Sequence, residues 1–509
     1  MQLFFESLLF VLQWKMLLIM TLGVAGGIFI GAMPGLTALM GVTLLLPFTY
    51  GMDATAGMLM LLSITFGAIY GGSITAILIK TPGTPASAAT VLDGGPMADR
   101  GEGGRAVGIS TLASFFGGFL SAVICAAVSP QLAKIALEFG PGEYFALAVF
   151  GLTIIASISG KSLSKGLISG MLGLILCSIG LDPISGFPRL TFGVTNLLSG
   201  FEVVPLLIGI FAISNVLGNI TDGVELNFVK QKVTRVIPTW EDAKKCLPVS
   251  IRSGLIGTFI GCIPAAGADI GAFVSYDLTK RLSKNPKAFG TGIAEGVAAP
   301  EAGNNGVTGG AMVPMMTLGV PGDATTAILL GALTLQGLQP GPLLFRDHAG
   351  TVFQIFAGML VANVIMLILG MSGVRMYLKF VSVKPYYLNP VIFLMCVVGS
   401  YALRNNMFDV MVMMIAGVIG YFFNKLDVPP SPMVLALILG PMAESNLRRA
   451  LISSKGSLSI FWSRPITVFL LFLALLSVLW PFFLRWREKR AEMAGVASVT
   501  DTEKRNDIG

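Results

Sequence analysis

Apolar runs long enough to cross a lipid bilayer recur along almost the whole sequence. They lie at residues 16–32, 56–79, 108–128, 144–159, 166–181, 203–220, 251–263, 353–372, 388–403, 408–423 and 466–484. A helix needs roughly 17 to 25 mainly apolar residues to span the hydrocarbon core of a membrane. Only 12% of the residues are charged, against about 25% in soluble proteins. We therefore predict an all-α integral membrane protein with about ten to twelve transmembrane helices.

The positive net charge does not point to nucleic acid as a partner. The chain carries a net charge of +7, but its Lys and Arg residues stand between the apolar runs and form no single basic face. That distribution is typical of charges that orient a membrane protein. The five cysteines are far apart, and His348 is the only histidine. Because a zinc site needs clustered Cys or His ligands, we predict no zinc site and no organic cofactor.

Proline, glycine and threonine interrupt the end of the apolar run at 56–79. Residues 71–95 read GGSITAILIKTPGTPASAATVLDGG. Proline has no N–H to donate, and the residue before a proline is driven toward an extended conformation, so a helix has to end near Thr81. Non-helical backbone is tolerated at membrane depth only where protein or water surrounds it. We therefore predict that this interruption forms part of a binding site.

The interruption belongs to a pattern that occurs twice. The segment GIFIGAMP at 27–34 recurs as GTFIGCIP at 257–264, which is 230 positions later. A second group recurs in the same order 239 positions later, and it pairs Gly71 with Gly310, Pro82 with Pro321, Gly83 with Gly322, and Ala88 with Ala327. We interpret residues 16–105 and 251–346 as two repeats. A cleaved signal peptide would have no reason to be duplicated, so the first repeat is not one.

Positive charge occupies different parts of the two repeats. In the first repeat, Lys and Arg are absent between 33 and 79 and follow the second motif, at Arg100 and Arg105. In the second repeat, four of them lie between the motifs, within 280–287, and none occurs from 288 to 345. Because Lys and Arg favour the cytoplasmic side, this swap predicts that the repeats are inverted in the membrane.

The sequence thus predicts six segments, and each repeat is expected to contain a broken or re-entrant helical hairpin. The segments are an N-terminal interfacial helix (1–15), inverted repeat 1 with binding motifs (16–105), connecting transmembrane helices and a cytoplasmic loop (106–250), inverted repeat 2 with binding motifs (251–346), C-terminal transmembrane helices (347–484) and a cytoplasmic tail (485–509).

Broken helices at matching positions of inverted repeats are typical of secondary transporters. The N-terminus of a half-helix offers free N–H groups and a positive dipole end to a carboxylate, and unwound carbonyl groups suit a cation. Neutral hydroxyl and amide groups that add to this chemistry are carried by Thr81, Thr84, Ser87, Asn304, Asn305 and Thr325. The alternative is that the glycines and prolines serve only close helix packing or a kink.

Two acidic residues stand beside the breaks of the second repeat. Asp269 and Asp323 are predicted either to bind a coupling cation or proton or to cap helices. Glu295 and Glu301 rank lower, because we expect the stretch around them to lie near the membrane interface. Lys80 is expected to extend toward the membrane surface, with attraction of an anion as the alternative.

Four longer segments resemble one known family. GAMPG at 31–35, GGSITAILIKTPGTPASAAT at 71–90, GIAEGVAAPEAGNNGVTGGAMVPMMTLGVPG at 292–322 and DATTAILLGALTLQGLQPGP at 323–342 closely resemble the large membrane subunit of the tripartite tricarboxylate transporters. The resemblance covers about residues 16 to 460 and implies binding regions at 31–35, 81–87, 264–269, 304–306 and 321–323. Asparagine often precedes the first TPG in that family, where this chain has Lys80.

The residue chemistry and the resemblance together give two sets of candidate site residues. The substrate-binding set is Gly31, Pro34, Gly35, Thr81, Pro82, Gly83, Thr84, Pro85, Ser87, Asn304, Asn305, Pro321, Gly322 and Thr325. The coupling-ion set is Pro264, Ala265, Gly267, Asp269 and Asp323, with sodium or a proton as the ion and no other metal.

The same resemblance implies a function and partners. It implies a multi-pass permease of the bacterial inner membrane that works with a small four-helix membrane subunit and a periplasmic solute-binding protein. Uptake of small dicarboxylates or tricarboxylates would be driven by a sodium or proton gradient, through alternating access with an elevator-like motion. The alternatives are a cation-coupled transporter of another small anion without a binding protein, and a channel. An enzyme is disfavoured, because one histidine and scattered cysteines supply no activated nucleophile or acid/base pair.

Overall fold

The computed structural model describes residues 2–33, 36–153, 162–182, 184–222, 236–263, 267–381 and 385–479, without the side chains of residues 375 and 378–388. The candidate site residues Pro34, Gly35, Pro264 and Ala265 lie outside the described residues. So do parts of the predicted apolar runs at 144–159 and 466–484, the predicted cytoplasmic tail, and residues 223–235 of the predicted cytoplasmic loop.

Helices make up most of the described chain. In chain order they are α1 (Gln2–Val11), α2 (Trp14–Gly31), α3 (Ala38–Thr49), α4 (Ala54–Leu78), α5 (Val91–Asp99), α6 (Gly103–Ala136), α7 (Pro141–Thr153), α8 (Leu163–Cys177), α9 (Val203–Leu207), α10 (Ser214–Asp222), α11 (Trp240–Cys262), α12 (Ala268–Leu282), α13 (Ala294–Leu318), α14 (Ala324–Leu335), α15 (Pro342–Asp347), α16 (Ala349–Val381), α17 (Pro385–Arg404), α18 (Met407–Lys425), α19 (Ser431–Ser453), α20 (Ile460–Ser463) and α21 (Pro465–Leu479). A π-helical segment, Ile208–Ile213, joins α9 to α10, and one short antiparallel pair is formed by β1 (Gly180–Leu181) and β2 (Pro188–Arg189).

Six of the described helices are long and apolar enough to cross a membrane. They are Trp14–Gly31, Ala54–Leu78, Gly103–Ala136, Val203–Thr221, Ala349–Val374 and Met407–Lys425, and six shorter apolar helices accompany them. The predicted fold class, an all-α membrane protein, is confirmed. The inverted orientation of the two repeats stays a prediction.

Local hydrogen bonds explain where several helices begin. The Asp53 side chain accepts from the backbone N–H of Thr55 at 3.1 Å and caps α4. At α11, Thr239 and Asp242 form a reciprocal capping box that fixes the first turn at Trp240. This helix therefore starts well before the apolar run predicted at 251–263. Apolar length marks the part of a helix that suits lipid, whereas the cap sets the actual start.

The chain divides into two compact units. The first comprises Met1–Glu138 and Leu176–Pro430, and within it α13 packs against α6 and α11 while α2 packs against α4. The second comprises Phe139–Ile175 and Ser431–Gly509, and within it α7 packs against α19. In the second unit the buried Glu143 accepts from the Thr467 hydroxyl at 3.0 Å and pairs with Arg464 at 3.3 Å. The described candidate site residues all belong to the first unit.

Two helix pairs of the first unit cross through glycines in the same way. A Cβ atom added at any of eight glycines would fall on a backbone carbonyl oxygen of the partner helix. On the α2–α4 crossing these contacts are Gly27 to Ile64, Gly31 to Ala68, Gly67 to Val24 and Gly71 to Ile28, and on the α11–α13 crossing they are Gly257 to Gly303, Gly261 to Val307, Gly306 to Gly254 and Gly310 to Thr258. Every contact of the first crossing maps onto one of the second at the offsets of the sequence match, 230 for α2 to α11 and 239 for α4 to α13. Small residues at such crossings allow backbones to approach closely inside a membrane.

Candidate functional site

The interruption after α4, residues 79–90, is named here the first break. Helix α4 ends at Leu78, and Lys80 has a positive φ of 55°. The backbone N–H of Gly83 donates to the Gly72 carbonyl at 3.3 Å, and that of Thr81 to the Thr75 carbonyl at 3.4 Å. The chain therefore folds back onto the last turns of α4, so its polar backbone groups find partners without continuing the helix.

Two buried hydroxyl groups follow in the first break. Thr84 Oγ1 and Ser87 Oγ lie 3.0 Å apart, and both side chains are almost fully buried. They occupy the space that a side chain at Gly72 would fill, and Gly83 lies against the Gly31 carbonyl group in the same way. Gly31, Gly83, Thr84 and Ser87 from the predicted set are thus brought together, whereas the side chains of Thr81 and Pro85 are exposed.

The interruption between α13 and α14, residues 319–323, is named the second break. Helix α13 ends at Leu318, and Gly319 has a φ of 70°, a left-handed conformation that glycine adopts without steric cost. Gly322 lies against Ala311 and the Gly261 carbonyl group. Gly83 in the first break contacts Gly72 and the Gly31 carbonyl group, which are the matching positions of the first repeat. The sequence offsets that relate the two helix crossings therefore also relate the two breaks.

Asp323 starts α14. Its Oδ1 accepts from the backbone N–H of Thr326 at 2.7 Å, and its own backbone N–H donates to the Thr326 hydroxyl at 2.8 Å. Of the two roles considered from the sequence, the helix cap is the one that these hydrogen bonds form. Asp269 lies in the first turn of α12, with its carboxylate beside Gly267, and it is near enough to Asp323 to interact electrostatically.

A line of polar residues follows one side of α13 and is named the polar stripe: Glu301, Asn304 and Thr308. Their spacing of three and four residues places them on one face of an α-helix. Glu301 is bonded to Thr90 of the first break, and Ala311, further along the same side, contacts Gly322 of the second break. The ten residues from Glu301 to Ala311 correspond to about 15 Å along the helix axis. The two breaks therefore approach α13 at opposite ends of the polar stripe.

Glu301 is fully buried and bonded to three hydroxyl groups. Ser73 of α4 donates to its Oε2 at 2.6 Å, Ser114 of α6 donates to the same oxygen at 3.0 Å, and Thr90 donates to Oε1. The sequence gives Glu301 a low rank as a site residue and predicts a position near the membrane interface, but the structure encloses it within the protein. Its partners are 187 to 228 residues away in sequence, so no local sequence motif could have predicted them.

Two neighbouring amide side chains, Asn304 of the polar stripe and Asn305 beside it, are only partly satisfied or not satisfied at all. Asn304 is fully buried, and neither its Nδ2 nor its Oδ1 atom has a hydrogen-bond partner among the residues that the structure describes. Asn305 is also buried and donates to the Glu301 carbonyl at 3.0 Å, but its Oδ1 atom meets no hydrogen-bond donor in the described ranges. An unsatisfied buried polar group costs about 1 to 3 kcal/mol, so such groups in a native structure call for an explanation.

Asp93 of α5 holds the start of α13 beside the first break. Its carboxylate accepts from the backbone N–H groups of Gly290, Gly292 and Ile293 at 2.8 to 3.0 Å and from the Tyr276 hydroxyl at 2.9 Å. These bonds tie the segment after the first break to the segment before α13. Asp93 is not predictable as a site residue from the sequence, because an acidic residue in a glycine-rich segment gives no sign of distant backbone partners.

The fold and the site together define a class: an α-helical membrane protein of many segments, in which helices break beside buried and partly unsatisfied polar groups. The chain belongs to the tripartite tricarboxylate transporter TctA family, whose model matches residues 17–435. It is therefore a transporter component and not an enzyme. The family predicted from the sequence motifs is confirmed.

Two relatives from Agrobacterium vitis share this similarity. An uncharacterized 52.8 kDa protein in the TAR-I ttuC' 3' region is 35% identical over 468 residues, which cover 92% of this chain and 93% of the relative. An uncharacterized protein in the TAR-II ttuC' 3' region is 35% identical over 237 residues, which cover 47% of this chain and 98% of the relative. No solved structure matches the chain.

Proposed function

We propose that this protein is the permease subunit of a binding-protein-dependent secondary transporter that imports small carboxylates, either dicarboxylates or tricarboxylates. It acts in the bacterial inner membrane with a small four-helix membrane subunit and a periplasmic solute-binding protein. A sodium or proton gradient drives uptake, and the site is exposed to each side of the membrane in turn. Membership of the TctA family supports this proposal.

The environment of the Asn304 side chain is the observation that supports this proposal most directly. Asn304 lies on the polar stripe between the two breaks and is fully buried, and neither amide atom finds a hydrogen-bond partner within the described part of the chain. A bound anion would accept a hydrogen bond from Nδ2, and a protonated group or cation would satisfy Oδ1. The amide therefore suits a carboxylate substrate that binds together with a coupling cation or proton. It does so without adding a permanently charged side chain to the site.

The breaks supply the remaining candidate contacts. In the first break, Thr84 and Ser87 present hydroxyl groups beside glycine backbone, together with Thr81, Pro82, Gly83 and Pro85 of the same segment. In the second break, Pro321 and Gly322 lead into the N-terminus of α14, where Thr325 stands in the first turn. The positive dipole end of such a terminus favours an anion, although the Asp323 carboxylate already accepts from the N–H of Thr326 there. Asp269 and Asp323, with residues 264–267, are the proposed coupling-ion region.

The test is uptake of labelled dicarboxylates and tricarboxylates into vesicles that contain all three components, with sodium and proton gradients imposed separately. Wild-type vesicles are expected to accumulate at least one carboxylate against its gradient, which a channel cannot do. Failure to accumulate any carboxylate under either gradient would refute the proposed function.

Site variants then test the assignment of residues. Thr84→Val with Ser87→Ala removes two buried hydroxyl groups and keeps their size, and Asn304→Ala removes the unsatisfied amide. Each is expected to reduce uptake by about tenfold or more, because one hydrogen bond to a charged ligand contributes about 1.5 to 3 kcal/mol. Thr334→Val with Ser372→Ala is the matched control, since those hydroxyl groups bond only to carbonyls of their own helices. Unchanged uptake in both site variants would show that the site lies elsewhere.

A further inference from the structure

Glu301 joins four parts of the first unit through one carboxylate. The residue lies on α13, and the hydroxyl groups bonded to it come from Ser73 on α4, Ser114 on α6 and Thr90 in the first break. All four side chains have no exposed surface. An acidic residue inside a membrane protein is costly to keep, so it indicates a functional site whenever no structural pairing explains it.

No cation pairs with Glu301 among the residues that the structure describes. The titratable and charged side chains on the elements that bond to Glu301, and on α5 next to the first break, are Tyr70 on α4, Lys80 in the first break, Asp93 and Asp99 on α5, Arg105, Cys125 and Lys134 on α6, and Glu295 on α13 itself. Tyr70 interacts with Glu301 electrostatically, but its hydroxyl group is bonded to Thr111 at 2.7 Å. Arg105 is bound to Asp242 and Glu102, Asp99 pairs with Lys80, and Asp93 is bound by backbone N–H groups and Tyr276.

We propose that Glu301 is a proton-binding site that takes up and releases one proton in each transport cycle. This inference rests on the proposed function, and it names a coupling residue outside the coupling-ion region proposed above. A hydroxyl group donates one hydrogen bond and accepts others. The three hydroxyl groups therefore stabilise the carboxylate as donors, and one of them accepts when Glu301 is protonated. A Lys or Arg partner has no acceptor and would keep the carboxylate permanently ionised.

The distances favour a proton over a metal ion at this place. The hydroxyl oxygens of Ser73 and Ser114 lie 2.6 and 3.0 Å from Oε2, which are direct hydrogen bonds. A metal ion bound by carboxylate and hydroxyl oxygens has to stand between them and turn the hydroxyl hydrogens away. A proton needs only the reversal of one hydrogen bond.

Thr90 connects the protonation state of Glu301 to the first break. It is the one hydroxyl partner of Glu301 that belongs to a break, and it lies three residues after the buried Ser87. A ligand shifts a conformational equilibrium only through its different affinities for the two states. If the Thr90 contact is made in one state and lost in the other, the proton affinity of Glu301 differs between them, which is the requirement for coupling.

The first experiment detects the proton directly on the purified chain, without substrate or partners. A pH-difference infrared spectrum is expected to show the C=O band of a protonated carboxyl group that appears as the pH falls and is lost in Glu301→Gln. Thr90→Val removes one donor and is expected to keep the band but move the midpoint of its titration. Glu295→Gln is the matched control on the same helix and should leave the band intact. A wild-type spectrum with no pH-dependent component assigned to Glu301 would overturn the proposal.

The second experiment measures coupling in vesicles that hold all three components. Glu301→Gln keeps the size of the side chain and should still exchange labelled carboxylate across the membrane at equal concentrations. It should lose accumulation driven by a proton gradient, and its exchange rate should no longer depend on pH. Accumulation by Glu301→Gln equal to that of wild type would overturn the proposal, as would accumulation that follows only sodium with no effect of pH.

The two experiments separate failure of this inference from failure of the proposed function. If wild-type vesicles transport no carboxylate, the proposed function fails, whereas the infrared band still decides whether Glu301 binds a proton. If wild type transports and Glu301→Gln remains proton-coupled, the proposed function stands and the proton site does not. Should Glu301→Gln fail to fold, Thr90→Val keeps the test open, because its infrared midpoint is expected to move while Glu301 itself is unchanged.

Discussion

Lys80 adopts a backbone conformation that suits asparagine better than lysine. Its φ of 55° lies in the left-handed region, which costs an L-residue with a long side chain about 1 to 2 kcal/mol, whereas asparagine visits that region more readily. The sequence predicts that Lys80 reaches toward the membrane surface, and in the structure its amino group lies 2.7 Å from Asp99, with both side chains about half exposed. Exposed pairs of this kind contribute about 0 to 1 kcal/mol.

A pair of substitutions at Lys80 separates backbone strain from the ion pair. Both Lys80→Asn and Lys80→Gln remove the pair with Asp99, but only asparagine relieves the strained conformation. We expect Lys80→Asn to be more stable than Lys80→Gln by about 0.5 to 1 kcal/mol. Reversible unfolding of the purified protein in mixed detergent micelles measures the difference. Equal stability of the two variants would mean that the left-handed conformation at residue 80 carries no cost.

At the scale of helices, the glycine crossings show which glycines of a membrane helix are structural. Gly27 of α2 lies against the backbone of Ile64 and Ala68 on α4, whereas a Cβ at the neighbouring Gly26 would meet nothing within 4 Å. The sequence presents both simply as glycines of one apolar run. Only the partner helix distinguishes them, because close approach of two backbones is a property of the pair.

Alanine at these two positions is therefore expected to have opposite effects. Gly26→Ala should leave stability unchanged or raise it by up to about 1 kcal/mol, since alanine favours the helix. Gly27→Ala should lower stability by about 1 to 3 kcal/mol, the usual cost of overpacking. Gly257→Ala, at the matching position of α11, should lower it by a similar amount. The same detergent unfolding assay applies, and a Gly27→Ala protein as stable as Gly26→Ala would contradict the crossing geometry.

The elements also show what a single sequence can and cannot predict about this protein. The end of α4 before Thr81 followed from the covalent chemistry of proline, and the family followed from long motifs. The start of α11 at Trp240 did not follow from the apolar run, because a capping box is set by two side chains and not by hydropathy. The environment of Glu301 could not be predicted from the sequence either. Its hydrogen-bond donors come from α4, α6 and the first break, and only the packed fold brings these together.

At the scale of the whole chain, the positively charged loops of the two repeats meet. The guanidinium group of Arg100, which follows the first break, donates to the carbonyls of Thr291 and Gly292, which follow the positively charged stretch of the second repeat. Loops that hydrogen-bond to one another lie on the same side of a membrane. This contact agrees with the positive charges of both repeats lying on one side of the membrane, although they occupy different parts of each repeat, and the cytoplasmic placement of that side stays a prediction.

Labelling of single cysteines tests the inverted orientation. In a variant whose five native cysteines are replaced by alanine, one cysteine is introduced at Gly51, between α3 and α4, or at Asn285, between α12 and α13. Both positions are exposed, and a side chain at residue 51 would meet nothing within 4 Å. An impermeant maleimide is expected to label residue 51 in intact cells and residue 285 only after the inner membrane is opened, while a permeant maleimide labels both. Because these loops occupy matching places between the motifs of the two repeats, labelling of both from the same side would show that the repeats are parallel and that the charge swap does not set their topology.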